Sequence, residues 1–227
     1  PLMLAAAMHL SAQATTPPNP KLAALKAEAM KDIDSRAQFT QQFVDQVFSF
    51  GELGFQEFET SKYILGVLKA NGFTVREGVA GIPTAWVATW GSGKPVIALG
   101  SDLDGIPQAS QIPGVACHLA LVPGGPGHGE GHNSGQAVNI TAALAIKKIM
   151  ERDHIKGTLK IWPGVAEEQL GSKAYLVRDG VFKDVDVVLF SHVGRNLTTG
   201  WGASQRGGPV PVRASGGKGR GQGEEGE

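Results

Sequence analysis

The chain has 227 residues, 41% of them apolar, enough for one core and the beginning of a second domain. Lysine plus arginine equals aspartate plus glutamate at 21 each, so no excess of positive charge points to nucleic acid or to an anionic membrane surface. Cys117 is the single cysteine, which excludes an internal disulfide.

Residues 2–14 read LMLAAAMHLSAQA, a short apolar run closing on the small-x-small pattern Ala-Gln-Ala. That close resembles a signal-peptidase site, and the run is too short to span a bilayer as a helix. A basic segment before it is missing, so residues 1–14 are expected to be a truncated signal peptide and residues 15–20 the mature N-terminal linker. Export to the periplasm or the exterior follows from that expectation; without a signal peptide the location would be cytoplasmic. No stable membrane span is expected.

Between residues 20 and 50 two amphipathic helices are predicted. Leu22, Leu25 and Met30 mark one apolar stripe, and Phe39, Phe43, Val47 and Phe50 mark the other at spacings of three and four. A turn at Gly51–Phe55 precedes a third helix over 57–70, with Tyr63, Ile64, Val67 and Leu68 apolar and Asn71-Gly72 as its stop. The period then changes. Phe73–Val75, Thr84–Trp90 and Pro95–Leu99 read as short strands separated by Gly and Pro.

A long irregular loop runs from Gly105 to Gly131 and carries Pro107, Pro113, Pro123 and Pro126. Loops of that length inside a compact domain are functional or disordered. Residues 135–152 form a strong helix, Leu159–Val165 a strand, 168–179 a helix, and Val185–Phe190, apolar but for Asp186, a strand of the buried parallel type. Strands alternating with helices predict a layered α/β/α domain with a mixed, largely parallel sheet. That domain is expected over residues 21–205. Residues 206–227, RGGPVPVRASGGKGRGQGEEGE, lack the apolar residues and period of a core and are expected to be a disordered Gly-rich tail.

Acidic and imidazole groups recur at the ends of these strands, where ligand sites of open α/β sheets lie. Asp102 and Asp104 follow Pro95–Leu99. His128, Glu130 and His132 stand in the glycine loop GHGEGHN before the long helix. Glu167-Glu168 follow Leu159–Val165, and His192 follows Val185–Phe190. Carboxylate and imidazole together suit zinc or manganese. Adjacent glutamates are more often a solvated pair, yet here they directly follow an apolar strand, where one can coordinate while the other moves a proton. Asp102 and Asp104 suit metal ligation or the steadying of a ligand histidine, with an Asx-type turn before Gly105 as the bland alternative. A nucleotide-binding loop fits poorly, because no Gly-Lys-Ser/Thr follows the glycines.

The order Asp-x-Asp-Gly-x-Pro, Gly-His-Gly-Glu-Gly-His-Asn, Ala-Glu-Glu, and a strand ending in histidine resembles the aminoacylase/carboxypeptidase-type dinuclear zinc amidohydrolases. Within that superfamily it resembles the aminobenzoyl-glutamate utilization protein B branch. Gly51-Glu52-Leu53-Gly54-Phe55-Gln56-Glu57 with Thr60 is similar to the family's N-terminal motif, and the likeness covers roughly Phe39 to Gly202. It implies Glu130, His132, Glu168 and His192 as metal ligands, Glu167 as general base, and Asp104 as the aspartate that steadies the site. Asp102 and His128 are further candidates for the metal or its surroundings.

Two divalent cations, zinc or manganese, are implied, as is a small amide substrate of the N-acyl amino acid or dipeptide type ending in a carboxylate. Many relatives carry cysteine where this chain has Glu130; the oxygen donor admits manganese more readily. The family pattern goes on into an inserted lid and dimerisation domain and a last ligand histidine. The sequence has no histidine after His192, so a fragment with the lid missing and little activity alone is expected, homodimerisation belonging to the intact parent. A catalytically inactive relic that binds metal or ligand on the same fold is the alternative.

Overall fold

A computed structural model of the protein describes residues 19–194 together with 200–201 and 213–214. The expectations for residues 1–14, and for all of the Gly-rich tail but 213–214, lie outside the described residues. Arg213–Ala214 pairs antiparallel with Gly200–Trp201.

The first helix, α1 (Pro20–Ser35), begins where local chemistry starts it. The Asn19 side chain accepts the N–H groups of Lys21 and Leu22 at 3.0 and 3.3 Å, and Pro20 takes the first helical position, where no donor is needed. Helix α2 (Ala37–Phe50) follows after one residue, and α3 (Phe58–Ala70) after the turn at Gly51–Glu57. Phe43 of α2 is fully buried and packs against Phe39 and Tyr63, with ring centroids 6.2 and 5.2 Å away.

Five strands make one sheet: β1 (Thr74–Glu77), β2 (Trp86–Ser92), β3 (Val96–Asp102), β4 (Gly157–Gly164) and β5 (Val187–Phe190), in the order β1-β2-β4-β3-β5. β1 pairs antiparallel with β2 and β2 with β4, whereas β4-β3-β5 pair in parallel. All strands except β2 therefore point the same way, as a mixed, largely parallel sheet requires. β4 is buried along its whole length, so both faces of the sheet centre are covered. The long helix α4 (His132–Arg152) packs on β3 and β4 and carries α1 and α2 on its outer side, while α3 packs on β1 and β2. Gln136 of α4 donates through Nε2 to the carbonyls of Ser101 and Trp162, both at 2.9 Å, stitching the helix to β3 and β4. None of the described helices is long and apolar enough to cross a membrane.

Three differences from the sequence reading have physical causes. The strand over 185–190 is not of the buried type: β5 is an edge strand of the described sheet, and Val187, Val188, Leu189 and Phe190 are 43–47% exposed. An all-apolar run reports hydrophobicity but not which faces find a cover. The long helix starts at His132 and not near 135, with Gly131 in a left-handed conformation (φ 81°) as its N-cap and Ser134 Oγ donating to the Gly131 carbonyl. The helix expected over 168–179 is split into a 3-10 turn at Glu167–Gln169 and a short helix α5 (Ser172–Arg178).

Phe43→Ala should destabilise the chain by about 3–5 kcal/mol, the cost of a large aromatic removed from a filled core, as read from urea unfolding. A loss below about 1 kcal/mol would mean that the α2–α4 face is not part of the cooperative core.

Candidate metal centre

Three parallel strands bring their carboxyl ends to one edge of the sheet. Asp102, the last residue of β3, is the register partner of Gly164, the last of β4, and Phe190 at the end of β5 is the partner of Gly100. The segments that follow these ends carry the sequence's candidate residues, and the N-terminus of α4 reaches the same edge. This is where an open α/β sheet leaves room for a ligand.

β3 stops at Asp102, so the two aspartates do not share one face of a continuing strand; they are used differently. Asp104 is 1% exposed and is the junction of the site. Its Oδ1 accepts the N–H of Glu167 at 3.0 Å, its Oδ2 accepts that of Glu168 at 3.1 Å, and its backbone carbonyl faces His132 Nδ1 at 2.9 Å. Asp102 is equally buried and pairs with Lys173 Nζ at 2.8 Å. Burial pushes the Asp102 carboxyl above its ordinary value and the lysine opposes that push.

Two histidines then face each other. His132 Nε2 and His192 Nε2 are 3.1 Å apart with their rings nearly perpendicular, at 84°. The Nδ1 of His132 lies against the Asp104 carbonyl and that of His192 lies 2.7 Å from the Val193 carbonyl. A carbonyl only accepts, so each Nδ1 carries a proton and the two Nε2 atoms are left turned toward one another. Two imidazole nitrogens converging in this way can share a cation.

Glu130 and Glu168 close the cluster. Donor atoms of Glu130, His132 and Glu168 lie within 4.8 Å of one another, as do those of Asp102, His132 and His192. His132 is common to both groups. Glu130 Oε2 stands 3.7 Å from His132 Nε2, and the left-handed Gly131 between them lets both side chains turn to the same side. Glu168 Oε1 is buried without a hydrogen-bond partner among the described residues. Burial first, and the Glu130 carboxylate next, push the Glu168 carboxyl above its ordinary value. Buried oxygen without a donor, crowded carboxylates and converging imidazole nitrogens form a donor set that a divalent cation satisfies.

Of the remaining candidates, Glu167 is one-third exposed, with Oε1 3.9 Å from Lys173 Nζ. His128 falls outside both groups. Its ring lies beside Phe48 with centroids 6.3 Å apart, and burial pulls its pKa down to about 4, so it is neutral at physiological pH. Lys173 was missed by the sequence reading, because a lysine in the first turn of a helix carries no signal of a partner seventy positions upstream.

No family profile matches the chain. Its relatives nonetheless indicate a class: over the matched residues its homologues are hydrolases and carboxypeptidases. A dinuclear metal-binding peptidase of the M20 family from Bacillus subtilis shares the fold, at 22% identity and a TM-score of 0.53 over 70% of this chain and 44% of that one. An aminohydrolase structure from methicillin-resistant Staphylococcus aureus superposes with a TM-score of 0.63 at 25% identity, covering 77% of this chain and 44% of that one.

The branch is narrower. The chain is 38% identical over 160 residues to one of the subunits of p-aminobenzoyl-glutamate hydrolase from Escherichia coli, a match that covers 70% of this chain and 33% of that protein. The chain thus spans about a third of this curated relative and under half of either solved structure.

Glu168→Gln removes a carboxylate whose charged form the fold disfavours. A carboxyl whose folded-state pKa lies above its unfolded value adds stability at low pH, and that contribution is lost as the pH rises through the folded value. Cation-free Glu168→Gln should therefore melt higher than the parent at neutral pH, while the upward shift on adding Zn2+ or Mn2+ shrinks. An unchanged melting temperature with a full metal shift would remove Glu168 from the site.

Proposed function

We propose that the protein is a metal-dependent hydrolase of amide bonds, acting on N-acyl amino acids or dipeptide-like molecules that end in a carboxylate. The observation that carries the reading is the pair of Nε2 atoms of His132 and His192 facing each other at 3.1 Å beside two carboxylates. Support for the substrate class comes from the E. coli relative, whose name gives p-aminobenzoyl-glutamate, an aryl amide of an amino acid.

Glu130, His132, Glu168 and His192 would hold the cations, two in number, zinc or manganese. A divalent cation bound there supplies a Lewis acid that polarises the amide carbonyl. The oxygen donor of Glu130 suits manganese as well as zinc.

The protein's own part in the chemistry falls to Glu167. Its carboxylate takes a proton from the attacking water and delivers it to the leaving nitrogen. Asp104 fixes the backbone of Glu167 and Glu168 and the ring of His132, so acid–base group and ligands move as one unit. Asp102 does not act as a ligand in this reading, because Lys173 already meets its charge at 2.8 Å. His128, neutral and set against Phe48, packs behind the loop.

Glu167→Gln, assayed as glutamate release from p-aminobenzoyl-glutamate with Zn2+ or Mn2+, should lower the parent's rate by about 10²–10⁴-fold with metal uptake unchanged. Metal uptake by the parent without hydrolysis supports a binding relic instead. No uptake at all overturns both readings.

A further inference from the structure

Glu57, at the end of the turn between α2 and α3, is completely buried. Its Oε1 accepts the N–H of Ala166 at 2.7 Å, and its Oε2 is buried without a partner among the described residues. Ala166 directly precedes Glu167 and adopts a left-handed conformation (φ 50°, ψ 44°), and Leu170, which closes the same 3-10 turn, does too (φ 61°). For residues with a Cβ such torsions are costly and persist only where the surroundings impose them. The surroundings are two buried carboxylates: the N–H of Ala166 goes to Glu57, and those of Glu167 and Glu168 go to Asp104.

The α2–α3 turn touches Ala166 a second time. Gly54 lies so close that a Cβ on it would stand 2.8 Å from Ala166 Cα. Glu52, five residues before Glu57, is used otherwise: its two oxygens accept the N–H groups of Glu59 and Thr60 at 3.0 and 2.8 Å and cap α3. The two glutamates of the Gly51–Glu57 motif thus divide, one holding its own helix and one holding a loop 109 positions away in sequence.

We infer that Glu57 is a positioning residue of the Glu167-Glu168 turn: by accepting the Ala166 N–H it imposes the left-handed Ala166 that aims both carboxylates into the candidate metal centre. The inference rests on the metal-dependent reading for its consequence, whereas the hydrogen bond can be read without metal. Glutamine matches the shape of Glu57 and keeps an oxygen that can accept the Ala166 N–H.

The test uses the full chain with Glu57→Gln, Glu57→Asp and Glu57→Ala, each titrated with Co2+ and followed by visible absorption of the bound ion. Amide exchange at Ala166, Glu167 and Glu168 is measured on the same proteins without metal. Glutamine keeps an acceptor at Oε1 and should hold Co2+ within about threefold of the parent with the same spectrum; aspartate, one methylene shorter, and alanine should lose about 10–100-fold in affinity and change the spectrum. In those two variants the three amides should exchange about tenfold faster or more, relative to the rest of the sheet edge.

Parent-like affinity, spectrum and exchange in the aspartate and alanine variants would overturn the inference, as would glutamine failing as badly as alanine. A parent that binds no Co2+ sinks the metal reading, and the exchange rates then decide the role of Glu57 by themselves. If Glu57→Ala does not fold, Glu57→Asp decides alone.

Discussion

The candidate site depends on one buried carboxylate. A carboxylate removed from water has to be met by hydrogen bonds or counter-charge, and Asp104 meets its need with the backbone N–H groups of Glu167 and Glu168 while its carbonyl takes His132. Through these three contacts the end of β3, the loop after β4 and the first residue of α4 become one rigid object. The sheet brings the strand ends near one another; Asp104 ties them together.

From that junction the electronic state of the site follows. The Asp104 carbonyl fixes the His132 proton on Nδ1, which leaves its Nε2 turned toward His192. Val193 does the same for His192 through its own carbonyl. Glu168 differs: among the described residues its buried Oε1 has no donor, and burial holds its carboxyl above its ordinary value. Asp102 is the contrast, its charge met within the fold by Lys173. A site that compensates one carboxylate with its own lysine and leaves the others crowded against imidazoles is organised to take up cations. The turn that carries Glu167 and Glu168 gains its second anchor from Glu57, far upstream in the chain.

Much of this was legible from residue order. The periodicity of Phe39, Phe43 and Val47 placed α2, and the apolar runs ending in Asp102 and His192 placed β3 and β5. Glu130, His132, Glu168 and His192 stood out because each follows a strand or lies where the glycine loop enters a helix, and the structure gathers them around His132. What stayed hidden was whatever depends on contacts between distant segments. Four apolar residues in a row look the same at a sheet centre and at an exposed edge, so the exposure of β5 could not be read. Gly131-His132-Asn133 has poor helix propensity, yet the Ser134 bond to Gly131 and the packing on β3 extend α4 through it. The roles of Glu57 and Lys173 are set by partners 109 and 71 positions away, and nothing local announces them.

The measurement that bears most directly on the site is X-ray absorption at the zinc edge of the chain loaded with Zn2+. Two imidazole nitrogens and carboxylate oxygens at about 2.0–2.2 Å are the expected environment, with the imidazole signal weakened in His132→Ala. A shell of oxygens alone, without the imidazole scattering pattern, would contradict the convergence of His132 and His192 on a cation.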